Sequence, residues 1–263
     1  MTELYNELVS AGNKLPVVAS LLNLNRDPSR TSEKYKSTDD IAVVKQLNDA
    51  GWFVSSYKQV KAHDSAKQQF KGYQATYTNQ NFPSLNNEGS LTLVQRNSKD
   101  GLKPFTFNIG FYRIVCTNGL IVGKDLFTPV HVKHIGDLPG QVKEIVHQAT
   151  NVLPNVYERV NAMQDRVLTD DEALELASKA AQLRFDDKNT INPFSLLLTR
   201  RHADQGNSLW KVFNRVQENL INSNRFFKVT DTNGKKRAAR NIKDIELSYK
   251  INTNLWGLSE SYL

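Results

Sequence analysis

Four groups of residues carry side chains that could do chemistry. The first is Cys116 with His131 and His134. A thiol and an H-x-x-H pair together suggest a zinc site. Thr128–His134 reads as a strand, however, where residues three apart point to opposite faces. The ligands would diverge and a fourth is missing, so the reading is a buried Cys116, two ordinary histidines and no metal. The second group is Gly110, Gly119 and Gly123 with Asn118, beside Arg113 and Lys124. No Gly-Lys-Ser/Thr follows a strand, so this is no phosphate loop. These glycines are expected to make turns, with Asn118-Gly119 the clearest turn signal. A turn rich in N–H groups beside two cations could still hold a phosphate.

The third group is Asn214, Gln217 and Glu218, with Arg200, Arg201 and His202 upstream. Asn214 and Glu218 are four apart and share a helix face. They fit either a hydrogen-bond network between helices or a polar pocket of Arg113, Asn118, Arg201, Asn214 and Glu218, open to a partner or nucleotide. The fourth group is basic: Arg225, Lys228, Lys235, Lys236, Arg237, Arg240 and Lys243, against one acid, Asp231. Phe226, Phe227 and Tyr249 stand near it. Cations for phosphates and aromatic faces for bases are what single-stranded nucleic acid requires; a solvated basic loop has the same composition. No paired carboxylates, Ser-His-Asp set or nucleotide fingerprint appears, so no catalytic residue and no cofactor is assigned.

Composition places these groups in a chain of 263 residues with net charge +7 and pI near 9.3. The basic segment carries nearly the whole excess, and the remainder is close to neutral. No apolar run reaches the roughly 18–20 residues of a membrane span. The acidic start Met1-Thr-Glu-Leu-Tyr-Asn-Glu-Leu does not read as a signal peptide. With a single cysteine, a reducing cytoplasm is expected.

The elements that must position these residues change character along the chain. Residues 1–36 read as an N-terminal arm, although Leu15–Leu22 could dock on a neighbour. A helix follows, with Ser37 or Thr38 as cap, Ile41, Val44 and Leu47 at helical spacing, and Gly51 as its end. Trp52–Ala62, Phe70–Thr78, Ser90–Arg96 and Phe105–Phe111 read as strands, the last two joined by a turn at Ser98–Gly101. From Leu138 the period is helical, with Pro154 expected to kink or split a long amphipathic segment. Thr169-Asp-Asp-Glu172 is a capping box. Asn192-Pro193 starts a short helix, and Ser208–Ile221 and Ile242–Tyr262 are further helices. Residues 224–241 read as a basic loop. The expected fold is α+β, with an antiparallel sheet region at 37–137 packed against a helical region at 138–263.

Phe111-Tyr-Arg-Ile-Val-Cys-Thr-Asn-Gly-Leu-Ile-Val-Gly123 resembles the Arg-x-x-Cys-[Ser/Thr]-Asn-Gly-[Leu/Met] core of a phage- and plasmid-associated family. That family is catalogued as a domain of unknown function, number 932. Val130–Gly136, Leu209–Leu220 and Asn252–Gly257 carry the same likeness, which runs from about Ser32 to the C-terminus. The chain departs from it at Asn222-Ser223-Asn224, where relatives tend to have a Gly-Gly step. The resemblance implies a mobile genetic element, and so a bacterial host's cytoplasm, but no activity. The order helix, Gly-Trp, antiparallel strands, helices is similar to that of Rad-type single-strand annealing proteins.

Two functions are compatible with these readings. One is a non-catalytic phage or prophage protein that binds nucleic acid, single-stranded DNA above all, as a homo-oligomer in replication or recombination. Its contacts would be Arg225, Lys228, Lys235, Lys236, Arg237 and Arg240, with Phe226 and Phe227. The other is a phage-encoded structural or host-interaction protein that binds a protein partner. A basic groove would favour the first, a large exposed apolar patch the second.

Overall fold

The structure, a computed structural model, describes residues 2–17, 19–35, 37–82, 89–113, 120–121, 130–131, 138–186 and 188–263. The chain divides into two compact units, Met1–Ile114 with Phe127–Leu153, and Val115–Leu126 with Pro154–Leu263. The architecture is α+β, with an antiparallel sheet in the N-terminal half and helices in the C-terminal half.

In the first unit, helix α1 (Thr2–Ser10) and helix α2 (Asp40–Asp49) precede four long strands. These are β1 (Trp52–Gln59), β2 (Tyr73–Asn79), β3 (Gly89–Asn97) and β4 (Thr106–Arg113), in sheet order 1-2-3-4. Each pair of neighbours is antiparallel. Strand β5 (Leu120–Ile121) falls in the second unit, and β6 (Val130–His131) pairs with β4. One sheet face is built from the cross-strand row Val54, Tyr77, Leu93 and Ile109, all buried.

The strict alternation expected in β1 breaks. The register shifts between Val54 and Ser56, and one extra residue reverses which side chains face inward. Tyr57 therefore pairs with Ala75 on the buried face and stacks on Tyr73 at 5.4 Å.

The described residues of 1–36, a stretch expected as an arm, are built into the unit. The Lys14 N–H donates to the Val54 carbonyl at 2.7 Å and the Val54 N–H to Asn13 Oδ1 at 2.9 Å. These bonds cover the outer edge of β1, which would otherwise present unpaired polar groups. Leu15, Leu21 and Leu22 are buried, and Asn23 Nδ2 donates to the Gln69 carbonyl at 3.2 Å.

Helix α2 is capped by Asp39, whose carboxylate accepts from the Ala42 N–H at 3.0 Å, rather than by Ser37 or Thr38. Thr38 is drawn inward instead, its hydroxyl donating to Asp40 Oδ1 at 2.7 Å. Gly51 closes the helix at φ 82°, a left-handed position that glycine takes without a Cβ penalty.

Helix α3 (Leu138–Asp165) runs unbroken through Pro154, and the division into units falls at that residue. The second unit continues with α4 (Asp170–Ala181), α5 (Leu209–Ile221) and α6 (Ile245–Glu260). The capping box on α4 forms as expected, with Thr169 and Glu172 each accepting from the other's backbone N–H. Asn192 caps a 3-10 turn at Pro193–Leu196. The segment expected as a basic loop contains two strands, β8 (Lys228–Asp231) and β9 (Lys236–Ala238), which join β7 (Asn189–Thr190) in a three-stranded antiparallel sheet.

Candidate nucleic-acid interface

Helix α5 is the axis of the second unit. Ser208 caps it, and every residue from Leu209 to Ile221 except Lys211 is buried. Phe213 lies stacked on Trp210 at 5.7 Å and edge-on to Trp256 at 6.0 Å. A helix enclosed on all sides must satisfy its polar residues internally. Gln217 Nε2 donates to Asn252 Oδ1 at 2.8 Å. Asn219 Nδ2 donates to the carbonyls of Leu196 and Leu198 at 3.0 and 2.9 Å. Arg201 forks onto Glu218, with Nη2 2.8 Å and Nε 3.1 Å from its oxygens. Asn214 Nδ2 donates to its own helix at the Trp210 carbonyl, 2.6 Å away. Arg201 and Glu218 of the expected pocket thus meet, while Asn214 bonds one turn back along α5. Arg113 ends β4 in the first unit, with its side chain outside the description, and Asn118 lies outside the described residues.

The exit of α5 is braced by two guanidinium groups. Arg184 donates to the Leu220 carbonyl, to Ser223 Oγ at 2.8 Å and to the Arg240 carbonyl. Arg200 donates to the Asn222 carbonyl. Cations suit the negative end of a helix, and these bonds occupy its last carbonyls. Burial pulls the Arg184 guanidinium below its usual value, yet an arginine stays charged in proteins.

Asn224 and Arg225 follow at φ 47° and 65°, beside the place where the resemblance puts a Gly-Gly step. Their amides are used internally. The Asn224 N–H donates to Asn241 Oδ1 at 2.7 Å, the Arg225 N–H to the Ala239 carbonyl at 3.0 Å, and the Phe226 N–H to the Ser223 carbonyl at 2.8 Å. The turn therefore offers a ligand its side chains rather than its N–H groups.

The strands divide the basic cluster. Lys228 pairs with Ala238, Val229 with Arg237, and Thr230 with Lys236, and directly paired residues share a face. Arg237 thus lies on the side of Val229, where its guanidinium donates to Asn189 Oδ1 at 2.6 Å. Lys228 and Lys236 lie on the other side, and Lys235 sits in the turn. Two open grooves adjoin this region. One, of about 290 Å³, is lined by Arg184, Phe185, Asn189, Val229, Arg237, Ala238, Ala239 and Arg240. The other, of about 550 Å³, is lined by Asn224, Arg225, Arg240, Asn241 and Lys243. They share Arg240, and among the described residues no carboxylate lines either.

The two aromatic residues part company. Phe227 is 6% exposed and packs edge-on to Phe185 at 6.3 Å, so it belongs to the core. Phe226 is 59% exposed, with the Arg200 guanidinium 4.4 Å from its ring centroid.

A family model described as "Domain of unknown function (DUF932)" matches residues 29–256. The chain belongs to the DUF932 family. It is similar to two proteins of Escherichia coli (strain K12), UPF0380 protein YafZ and UPF0380 protein YfjQ. Each is 28% identical over 254 residues, covering 94% of this chain and 89% of the relative. No solved structure matches the chain.

Two arginines that shape the site of this DUF932 protein were poorly marked in the sequence. Arg200 was noted only as a neighbour of Arg201. Arg184 was missed, because its partners Leu220, Ser223 and Arg240 lie 36 to 56 positions away. Of the groups near the family core, Cys116, Gly119, Gly123, Lys124 and His134 lie outside the described residues, as does the His131 side chain. Among the described residues, no group of three or more His, Cys, Asp or Glu could hold a metal ion.

Proposed function

We propose that this DUF932 protein binds nucleic acid, single-stranded DNA by preference, through the exit of α5 and the sheet beside it, and that it acts without catalysis. The observation that carries the reading is the pair of adjoining grooves that share Arg240. Among the described residues, their lining holds Arg184, Arg225, Arg237, Arg240 and Lys243 and no carboxylate. Such a surface attracts a polyanion at long range and holds its phosphates by displacing counterions. A role in annealing strands during phage replication or recombination, as a homo-oligomer in a bacterial host's cytoplasm, is the finer form of the proposal. It rests on the family resemblance and on a similarity of element order.

Fluorescence anisotropy with labelled single- and double-stranded oligonucleotides over a range of salt concentrations tests the reading. Binding that weakens linearly in log affinity with log salt is expected, with the single strand preferred. Absence of binding at low salt would sink it.

A second reading, a protein partner, is favoured by one feature of the first unit. A groove of about 590 Å³ between α2 and the first half of α3 is lined by Ala50, Val142 and Val146, with Gln46, Asp49, Lys143, His147 and Thr150 around them. If the protein binds no oligonucleotide, this groove becomes the leading surface, and a pull-down compared with a Val146→Glu variant would address it.

A further inference from the structure

We infer that Arg200 and Phe226 form a two-plane platform that takes one unstacked nucleobase on the exposed face of the Phe226 ring, with Arg200 as its positioning residue. The inference rests on the nucleic-acid reading and adds what the site recognises besides phosphate.

Phe226 is the exposed member of an adjacent pair of phenylalanines. Phe227 points into the core against Phe185, which leaves Phe226 directed away from it. An exposed phenylalanine on a mobile loop would be a poor platform, because stacking would have to order it. Here the backbone is fixed on both sides, by the Phe226 N–H to the Ser223 carbonyl and the Ala239 N–H to the Phe227 carbonyl at 2.9 Å. The ring is fixed as well. Arg200 is anchored to the Asn222 carbonyl and lies 3.9 Å from Glu218 through Nη2. Its guanidinium sits 4.4 Å from the Phe226 centroid, close enough for a cation–π contact. An anchored plane under one face leaves the other face for a ligand that brings its own plane.

Arg225, the preceding residue, lines the groove with Arg240 and Lys243. A phosphate held there belongs to a chain whose bases can reach the neighbouring residue. Bases inside a duplex are already stacked on one another, so the platform selects a single strand, and since every base has a π-face it tolerates sequence.

The test compares oligo(dT) with an abasic oligomer of the same length and charge, by anisotropy at fixed salt. The parent protein is expected to bind oligo(dT) roughly 5- to 150-fold more tightly, the range for one stacked base. Phe226→Ala should abolish that preference and leave affinity for the abasic oligomer unchanged. Phe226→Trp should retain it. Arg200→Lys keeps the charge and removes the plane, so it should weaken the preference in the parent but add nothing in the Phe226→Ala background.

Equal binding of both oligomers by the parent would overturn the platform and leave the phosphate-binding proposal standing. So would an undiminished preference in Phe226→Ala. Failure of the parent to bind either oligomer would overturn both.

Discussion

Lys99 Nζ lies 2.8 Å from Asp40 Oδ2, with both side chains wholly sealed from solvent. The carboxylate also accepts from Tyr73 Oη at 2.7 Å and from Asn97 Nδ2, while Lys99 donates to the Thr38 carbonyl at 2.6 Å. A buried pair of this kind stabilises little against an apolar replacement, yet breaking one side is costly because the other charge is stranded. Lys99→Met should destabilise the protein by about 3–5 kcal/mol. The double variant Asp40→Asn with Lys99→Met should lose clearly less than the sum of the two single changes. Urea unfolding of the full cycle measures the coupling, and simple additivity would show that the pair does not act as a unit.

The same neighbourhood sets the behaviour in alkali. Burial raises the Tyr57, Tyr73 and Tyr77 hydroxyls above the usual value of 10.0, and the negative charge of Asp40 adds to it in each. A group raised in the folded state contributes stability that is fully present below its unfolded value and lost as pH rises through the folded one. Stability should therefore fall progressively above pH 10. These three tyrosines should ionise only as the protein unfolds, so their tyrosinate absorbance and the loss of circular dichroism should coincide. Tyr57→Phe should remove one tyrosine's amplitude from that coincident step; removal of amplitude from an earlier phase would contradict the burial argument.

Salt titration can separate the two sides of the basic sheet. Each phosphate contact on a single strand contributes a slope of about −0.7. Changing Arg225, Arg237, Arg240 and Lys243 together to Ala should flatten the slope by roughly three units. Changing Lys228, Lys235 and Lys236 should leave it nearly intact, because Lys228 and Lys236 lie on the opposite side of the strands and Lys235 is in the turn. Equal effects from the two sets would mean that the cluster acts as diffuse charge rather than as a groove.

Thermal and urea unfolding should distinguish the aromatic residues. Phe213, wholly buried between Trp210 and Trp256, should cost about 3–5 kcal/mol as Ala. Exposed Phe226 should cost within about 0.5 kcal/mol. A large loss at Phe226 would place that ring in the core.

The parts legible in the sequence were those encoded locally. Period-two patterning located β2, β3 and β4, and the Thr169–Glu172 box fixed the start of α4. The amphipathic spacing of Trp210, Phe213, Val216 and Leu220 revealed α5. The misreadings came from long-range partners. Lys99 reads as a turn residue because its acid is 59 positions earlier. The bulge in β1 appears only once β2 sets the register. Residues 228–238 read as a loop because lysine, asparagine and glycine favour strands poorly, yet β8 pairs with β9 across a short turn and with β7 along its other edge. Of the candidate site, the cations and Phe226 were legible by type, whereas their division between faces, the burial of Phe227 and the arginine braces depended on the fold.

The left-handed pair at Asn224 and Arg225 sets how readily the site opens. A non-glycine residue in that region is strained by about 1–2 kcal/mol, and local opening would release it. Opening would also take Ser223 and the Asn222 carbonyl away from the guanidinium groups that hold them. The exit of α5 should therefore exchange its amide hydrogens well before the helix itself, as a small unit below the global threshold. The closed form is the one that presents the fixed Phe226 ring, so slower exchange at Arg225 and Phe226 on adding an oligonucleotide would report a strand settling on it.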